Sequence, residues 1–207
     1  MVRPGSWRWP ILALLLIPAF LLTTAILGHS LGLPVINPAR SLSIGKLAGF
    51  SAIQFIQFLH YFLFTAVGEE VGWRGLLLAR FQTRFSPLTA SVLVWLPWAI
   101  WHLPLDIGRH WSAAQFIEQR IVILLIYSIL LTWLYNRSGG SLLVVAIVHG
   151  GTGSFLYLLP SSPPMVVPLA ALLLFLAVFL SRMWQRLPQP DEADMRCSSE
   201  PELASFL

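Results

Sequence analysis

Long apolar segments are the feature that most constrains the fold of this chain. Six of them follow one another, at about 9–28, 47–67 with a continuation to about 82, 88–107, 116–136, 141–160 and 163–182. A helix needs roughly 20 mostly apolar residues to cross a bilayer, and inside the bilayer its backbone hydrogen bonds must all be satisfied within the protein. The sequence therefore predicts an all-α fold, a polytopic transmembrane helical bundle of about six helices.

The composition argues against a water-soluble domain. Only 11% of the 207 residues are charged and the mean hydropathy is +0.74, whereas soluble domains carry about 25% charged residues. No basic run with interleaved aromatic residues occurs, so we expect contact with the lipid bilayer and no nucleic-acid partner. We divide the chain into a membrane-embedded domain, 1–187, and a polar, disordered C-terminal tail, 188–207, which holds five of the nine acidic residues: Asp191, Glu192, Asp194, Glu200 and Glu202.

The positions of the basic residues predict an orientation. With the N-terminus inside, nine arginines fall on the cytoplasmic side and four Arg or Lys residues on the other, which favours both termini in the cytoplasm. The first segment follows Arg3 and Arg8, so a signal peptide is the alternative. Its apolar length from Ile11 to Leu27 and the lack of a clean cleavage site favour an uncleaved anchor helix. We expect a multi-pass protein of a prokaryotic plasma membrane, since no organelle signal is present.

One short stretch concentrates charge between apolar runs: Gly68-Glu69-Glu70-Val71-Gly72-Trp73-Arg74. A charge at the centre of a spanning helix costs about 2.5–3.5 kcal/mol on insertion scales and usually marks function. At about 100° per residue, Glu70 and Arg74 lie about 40° apart, the spacing of an ion pair. Glu69 lies about 140° from Arg74 and has no such partner. We therefore interpret Glu70 and Arg74 as a structural pair and Glu69 as the working carboxylate.

His102 and His149 lie inside apolar segments. If the chain reverses near 85–86, Glu69 and His102 both lie roughly 24 Å from the turn, at about 1.5 Å per residue, and so at one level. A Glu and a His brought together can polarise water, with the carboxylate as general base; a polar lock between helices is the alternative. His149, on a later helix, would complete the cluster, whereas His60 lies about 180° from Glu69 around the same helix.

These residues resemble the motifs of the CAAX-protease and bacteriocin-processing (CPBP, or Abi) family of intramembrane endopeptidases. The family motif Glu-Glu-x-x-x-Arg is met in full by Glu69, Glu70 and Arg74. The motif Phe-x-x-x-His is met by His102, with Trp98 in place of the phenylalanine. The resemblance covers about 51–158.

A third family motif, His followed four residues later by Asn or Asp, is met only at its histidine, His149, because the fourth residue on is Gly153. Gly153 therefore lacks the side chain that, in the family, helps to stabilise the oxyanion. The glycine-rich string that contains it, 150–154, follows no strand and has no lysine of a phosphate loop, so it predicts close helix packing.

The resemblance implies an endopeptidase, similar to CAAX prenyl proteases, that cleaves a membrane-associated peptide or protein. Glu69 would be the general base, His102 its partner in holding water or metal, and His149 an oxyanion donor or third ligand. The family has been interpreted both as zinc-dependent and as glutamate proteases, so one zinc ion on Glu69, His102 and His149 and a metal-free site both stay open. The alternative is a non-catalytic membrane scaffold or bacteriocin self-immunity protein with the same polar core. The sequence does not specify an oligomeric state.

Overall fold

The computed structural model of the chain describes residues 6–33, 55–155 and 166–187. It has six helices in these ranges: α1, Arg8–Ser30; α2, 55–82; α3, Pro87–Gly108; α4, Ala113–Arg137; α5, Leu142–Phe155; and α6, Val166–Leu180. Of these, α1, α3 and α4 are long and apolar enough to cross a membrane, while α5 and α6 contain shorter apolar helices. The predicted all-α membrane bundle is confirmed. The predicted tail, 188–207, lies outside the described residues.

Polarity in this bundle runs opposite to that of a soluble protein. Large apolar side chains face outward, among them Phe64, 77% exposed, and Leu180, 80% exposed. Fully buried polar side chains lie inside, and two of them link helices or turns: the Ser128 hydroxyl on α4 donates to the Ser91 carbonyl on α3, and the Thr132 hydroxyl donates to the Ser128 carbonyl. Lipid solvates the apolar exterior, whereas buried polar groups must find partners within the protein.

Short turns place sequential helices side by side. The turn between α2 and α3 ends at Ser86, whose hydroxyl accepts a hydrogen bond from the Thr89 backbone N–H, and Pro87 opens α3 at the position where its missing N–H costs nothing. Between α4 and α5, Gly139 and Gly140 have φ values of +77° and +81°. This left-handed backbone suits glycine, because it has no Cβ to clash.

Helix α2 owes its shape to two stretches of wide, π-helical turns, Tyr61–Ala66 and Val71–Leu78. Wide turns hold more residues than an α-helical turn, so alternating them with α-helical turns offsets the drift of about 40° that each four-residue step has in an α-helix. The buried residues follow that repeat: Ala66, Glu70, Arg74, Leu78 and Gln82 are all at most 7% exposed. The neighbouring line, which contains Glu69 and Trp73, is partly exposed. One face of α2 therefore carries its charges into the bundle.

Glycines of α5 allow close contact with two other helices. A Cβ placed on Gly150 would lie 3.0 Å from the Phe62 Cα of α2, and one on Gly151 would lie 3.0 Å from Ile17 Cγ1 of α1. Backbones approach this closely where side chains are absent, as is usual for packed helices in membranes. The close packing predicted from the glycine-rich string is therefore present, and it places the end of α5 against α2.

Candidate active site

The ion pair expected from sequence is at the centre of the site. Arg74 Nη1 donates to Glu70 Oε1 at 2.9 Å, and neither side chain is exposed. The Arg74 guanidinium also lies over the Trp98 ring, 4.5 Å from its centroid, where the π face stabilises the cation. Three atoms of the pair are buried without a hydrogen-bond partner among the described residues: Glu70 Oε2, Arg74 Nε and Arg74 Nη2.

Glu70 has a second partner, which comes from α5. His149 Nδ1 lies 2.7 Å from Glu70 Oε1, the same oxygen that accepts from Arg74. A carboxylate only accepts, so Nδ1 carries the hydrogen and Nε2 points elsewhere. The sequence predicts His149 as a partner of Glu69 and His102, whereas its hydrogen bond is to Glu70, the neighbouring glutamate. Glu70 thus joins Arg74 of its own helix to His149, 79 residues further along the chain.

Glu69 forms no ion pair with any described residue. Its Oε2 accepts two indole N–H groups, one from Trp98 Nε1 at 2.8 Å and one from Trp73 Nε1 at 3.4 Å. Its Oε1 accepts no hydrogen bond from the described part of the chain. The side chain is partly exposed, on the face of α2 beside the buried line. Glu69 is therefore a carboxylate with one anchored oxygen and one oxygen open to a water or a substrate.

His102 is held by its own helix. Its Nδ1 lies 2.8 Å from the Trp98 carbonyl oxygen, one turn earlier. A carbonyl cannot donate, so Nδ1 is the protonated nitrogen, and Nε2 of the neutral ring keeps a lone pair that can accept a proton or a hydrogen bond. Side chains of a helix lean towards its N-terminus, which explains why the imidazole reaches back towards Trp98.

Trp98 is the residue around which the candidate side chains assemble. Its ring centroid lies 6.1 Å from that of His102 and 5.5 Å from that of His149, while its N–H donates to Glu69. Glu69 hydrogen-bonds Trp98, which lies one turn before His102 on α3, and the water-bridged contact between Glu69 and His102 stays a prediction.

A metal ion does not fit these donors as they stand. No group of three or more His, Cys, Asp or Glu side chains among the described residues is arranged to hold one. The predicted zinc ligands Glu69, His102 and His149 lie around the large Trp98 ring, and their hydrogen bonds use only Nδ1 of each histidine and Oε2 of Glu69, so the spacing of these side chains separates them and not a lack of free donor atoms.

Comparison with known proteins identifies the family to which this chain belongs. The model of the type II CAAX prenyl endopeptidase Rce1-like family matches residues 51–155, about half of the chain, and this range contains all the residues just described. The chain belongs to the Rce1-like family. It is similar to CAAX prenyl protease 2 of Methanococcus maripaludis, with 29% identity over 144 residues, which are 65% of this chain and 51% of that relative. The Rce1-like chain thus spans about half the length of the curated relative that it matches.

The Gly153 position of this Rce1-like protein is filled from another helix. A Cβ at Gly153 would lie 2.9 Å from Cδ1 of Tyr61 and 3.2 Å from its Cγ. The Tyr61 ring, on α2, therefore occupies the space into which an Asn or Asp side chain would extend. The neighbouring Thr152 hydroxyl donates to the Val148 carbonyl, one turn earlier on the same helix.

Several residues at the site were not singled out from sequence. Tyr127 of α4 packs its ring edge-on against His149, with centroids 5.9 Å apart, and its hydroxyl is buried. Asp106 and Arg120 form a bidentate ion pair, in which Arg120 Nε lies 2.7 Å from Asp106 Oδ2 and Arg120 Nη2 lies 2.7 Å from Asp106 Oδ1. The pair connects the end of α3 to α4. One signal for Asp106 was available, because it follows His102 by four residues and so shares its helix face.

Proposed function

We propose that this protein is an intramembrane endopeptidase that cleaves a membrane-associated peptide or protein with a water molecule activated by Glu69 and His102. The observation that carries the proposal is the environment of the Glu69 side chain. It is a carboxylate inside an apolar bundle with no cationic partner in the described residues, one oxygen anchored and the other open. A group so costly to place in a membrane is usually functional. The name of the relative, CAAX prenyl protease 2, supports a prenylated peptide as the substrate class.

The chemistry follows from the open atoms of the three side chains. Water bound between Glu69 Oε1 and His102 Nε2 loses a proton to Glu69 as its oxygen forms a bond to the carbonyl carbon of the peptide. When the C–N bond breaks, that proton passes from Glu69 to the departing nitrogen. Glu69 thus acts first as general base and then as general acid.

His149 would stabilise the negative oxygen that develops on the carbonyl. With Nδ1–H given to Glu70, a donor role for Nε2 requires the doubly protonated ring. A preorganised donor of this kind contributes several kcal/mol to transition-state stabilisation.

The test uses purified protein in detergent or vesicles with a prenylated peptide that ends in a CAAX sequence. We expect the wild type to release the terminal tripeptide and Glu69→Gln to release none above the uncatalysed background. Because Glu69, His102 and His149 are not arranged to hold a metal ion, we expect the chelator 1,10-phenanthroline to leave the rate of peptide cleavage unchanged. A rate that the chelator abolishes and Zn²⁺ restores would show that the side chains move to bind a metal.

The alternative is a non-catalytic scaffold or self-immunity protein, and Gly153 is the observation in its favour. The expected oxyanion donor is missing there, and the Tyr61 ring takes its space. A scaffold would cleave no peptide, and a Glu69→Gln variant would fully complement a deletion strain. Loss of complementation in Glu69→Gln, with normal protein levels in the membrane, supports the endopeptidase instead.

A further inference from the structure

We infer that Trp98 is a positioning residue for the general base: its indole N–H anchors one oxygen of Glu69 and thereby leaves the other oxygen for the water. This inference rests on the proposed function and names the residue that fixes the geometry of its base. Trp98 belongs to α3 and Glu69 to α2, so the contact also sets the two helices in register at the site.

The contact is short and buried. Trp98 is 1% exposed and its N–H reaches Glu69 Oε2 at 2.8 Å, against 3.4 Å for the N–H of Trp73, which lies on the same helix as Glu69. An indole N–H donates and never accepts, and a buried one needs an acceptor. The phenylalanine of the motif, which Trp98 replaces here, has nothing to donate. The hydrogen bond to Glu69 therefore depends on the tryptophan that this chain has in place of the phenylalanine.

The same residue also fixes His102. Its backbone carbonyl accepts from His102 Nδ1 at 2.8 Å, which leaves the lone pair of the neutral ring on Nε2. The backbone of Trp98 thus orients the histidine while its side chain orients the glutamate. With Glu69 Oε2 occupied by two indoles, the lone pairs of Oε1 are the ones that can receive a proton from water. A carboxylate that rotated freely would present both oxygens and hold neither at the water.

The first measurement is a double-mutant cycle on unfolding temperature in detergent, which needs no activity. Trp98→Phe keeps an aromatic ring and removes the N–H, and Glu69→Leu removes the acceptor. We expect Trp98→Phe to lower the unfolding temperature of the wild type more than that of Glu69→Leu, because in Glu69→Leu the N–H has already lost its main acceptor and only the smaller ring and its weaker contact with Arg74 count. Trp95→Phe is the matched control. It removes an indole hydrogen bond of 2.7 Å from the same helix, to the Arg120 carbonyl, and its effect should add to that of Glu69→Leu.

The second measurement is peptide cleavage. We expect Trp98→Phe to lower kcat by about 10–100-fold, as loss of an orienting partner typically does, with KM unchanged, while Trp95→Phe stays within about twofold of the wild type. Additive effects of Trp98→Phe and Glu69→Leu on unfolding, or full kcat in an active Trp98→Phe enzyme, would overturn the inference. If the effects of Trp98→Phe and Glu69→Leu on unfolding are coupled but the wild type cleaves no peptide, the proposed function is wrong, and the anchoring of Glu69 by Trp98 still holds.

Discussion

The two adjacent glutamates occupy different environments, although they differ in sequence only by one position. Glu70 is fully buried and gives one oxygen to both Arg74 and His149, whereas Glu69 is partly exposed and meets only indole N–H groups. Removing one partner of a buried pair leaves an uncompensated charge, which costs far more than the pair contributes. We therefore expect the fold to depend on Glu70, whatever Glu70 adds to the chemistry.

We expect Glu70→Ala to destabilise the protein by about 3–5 kcal/mol, because it leaves Arg74 buried and unpaired. Glu69→Gln should leave stability within about 0.5 kcal/mol of the wild type, since the amide oxygen still accepts from Trp98 and no cation loses its partner. Membrane-fraction yield and unfolding temperature measure the first effect, and peptide cleavage measures the loss of turnover in Glu69→Gln. Equal losses of stability in the two variants would contradict the division of roles.

At Gly153, the structure changes what an asparagine is expected to do. The motif resemblance alone suggests that Asn at this position would add an oxyanion donor, but its Cβ would lie 2.9 Å from the Tyr61 ring. We expect Gly153→Asn to destabilise the protein by about 1–3 kcal/mol, as overpacking does. Tyr61→Ala in the same chain should recover most of that loss. A Gly153→Asn variant as stable as the wild type would show that Tyr61 moves aside freely.

At the scale of helices, α2 and α5 approach each other through glycines, and α2 changes its pitch. The wide turns of α2 align Ala66, Glu70 and Arg74 on one buried face, and the glycines of α5 let His149 come within hydrogen-bond reach of that face. A side chain that separated the two helices would lengthen this contact. Helix packing and the polar cluster therefore depend on each other.

This dependence predicts opposite effects for two kinds of Gly→Ala change. In Gly150→Ala the new methyl group would lie 3.0 Å from the Phe62 backbone, so we expect a loss of about 1–3 kcal/mol. Gly68→Ala and Gly72→Ala are matched controls, because nothing lies within 4 Å of their Cβ positions. These should leave stability unchanged or raise it by up to about 1 kcal/mol, since alanine is the better helix former. Unfolding temperatures in one detergent compare the three; a fall at Gly68 as large as at Gly150 would contradict the packing argument.

For the molecule as a whole, the described arginines divide unequally between the two ends of the bundle. Helix α1 starts at the same end of the bundle as α5, since Trp9 and Ala13 lie in one cluster with Val144 and Val148, and Ile17 meets Gly151 further along both helices. The segment after α6 meets the start of α3 through a hydrogen bond from Leu88 N to the Met183 carbonyl. One end therefore collects six arginines and the other two, Arg109 and Arg120, of which Arg120 is paired with Asp106. The six are Arg8, Arg80, Arg84, Arg137, Arg182 and Arg186.

The positive-inside rule then predicts that the end with six arginines, and with it both termini, faces the cytoplasm. Alkaline phosphatase, which is active only outside the cytoplasm, should give no signal when fused after Leu207 and a strong signal when fused in the turn at Arg109. Green fluorescent protein at the same two positions is the control, with the opposite pattern. A strong phosphatase signal at Leu207 would reverse the orientation.

The sequence by itself determined the features that depend on neighbouring residues. Apolar length predicts the helices, because each backbone inside a bilayer must satisfy its own hydrogen bonds. The Glu70–Arg74 pair follows from a spacing of four within one helix. Only the tertiary structure decided that His149 bonds Glu70, that Trp98 anchors Glu69, and that Tyr61 fills the space at Gly153. These contacts join residues far apart in the chain. They depend on the pitch of α2 and on how closely the helices approach, and no periodicity within a single segment encodes either.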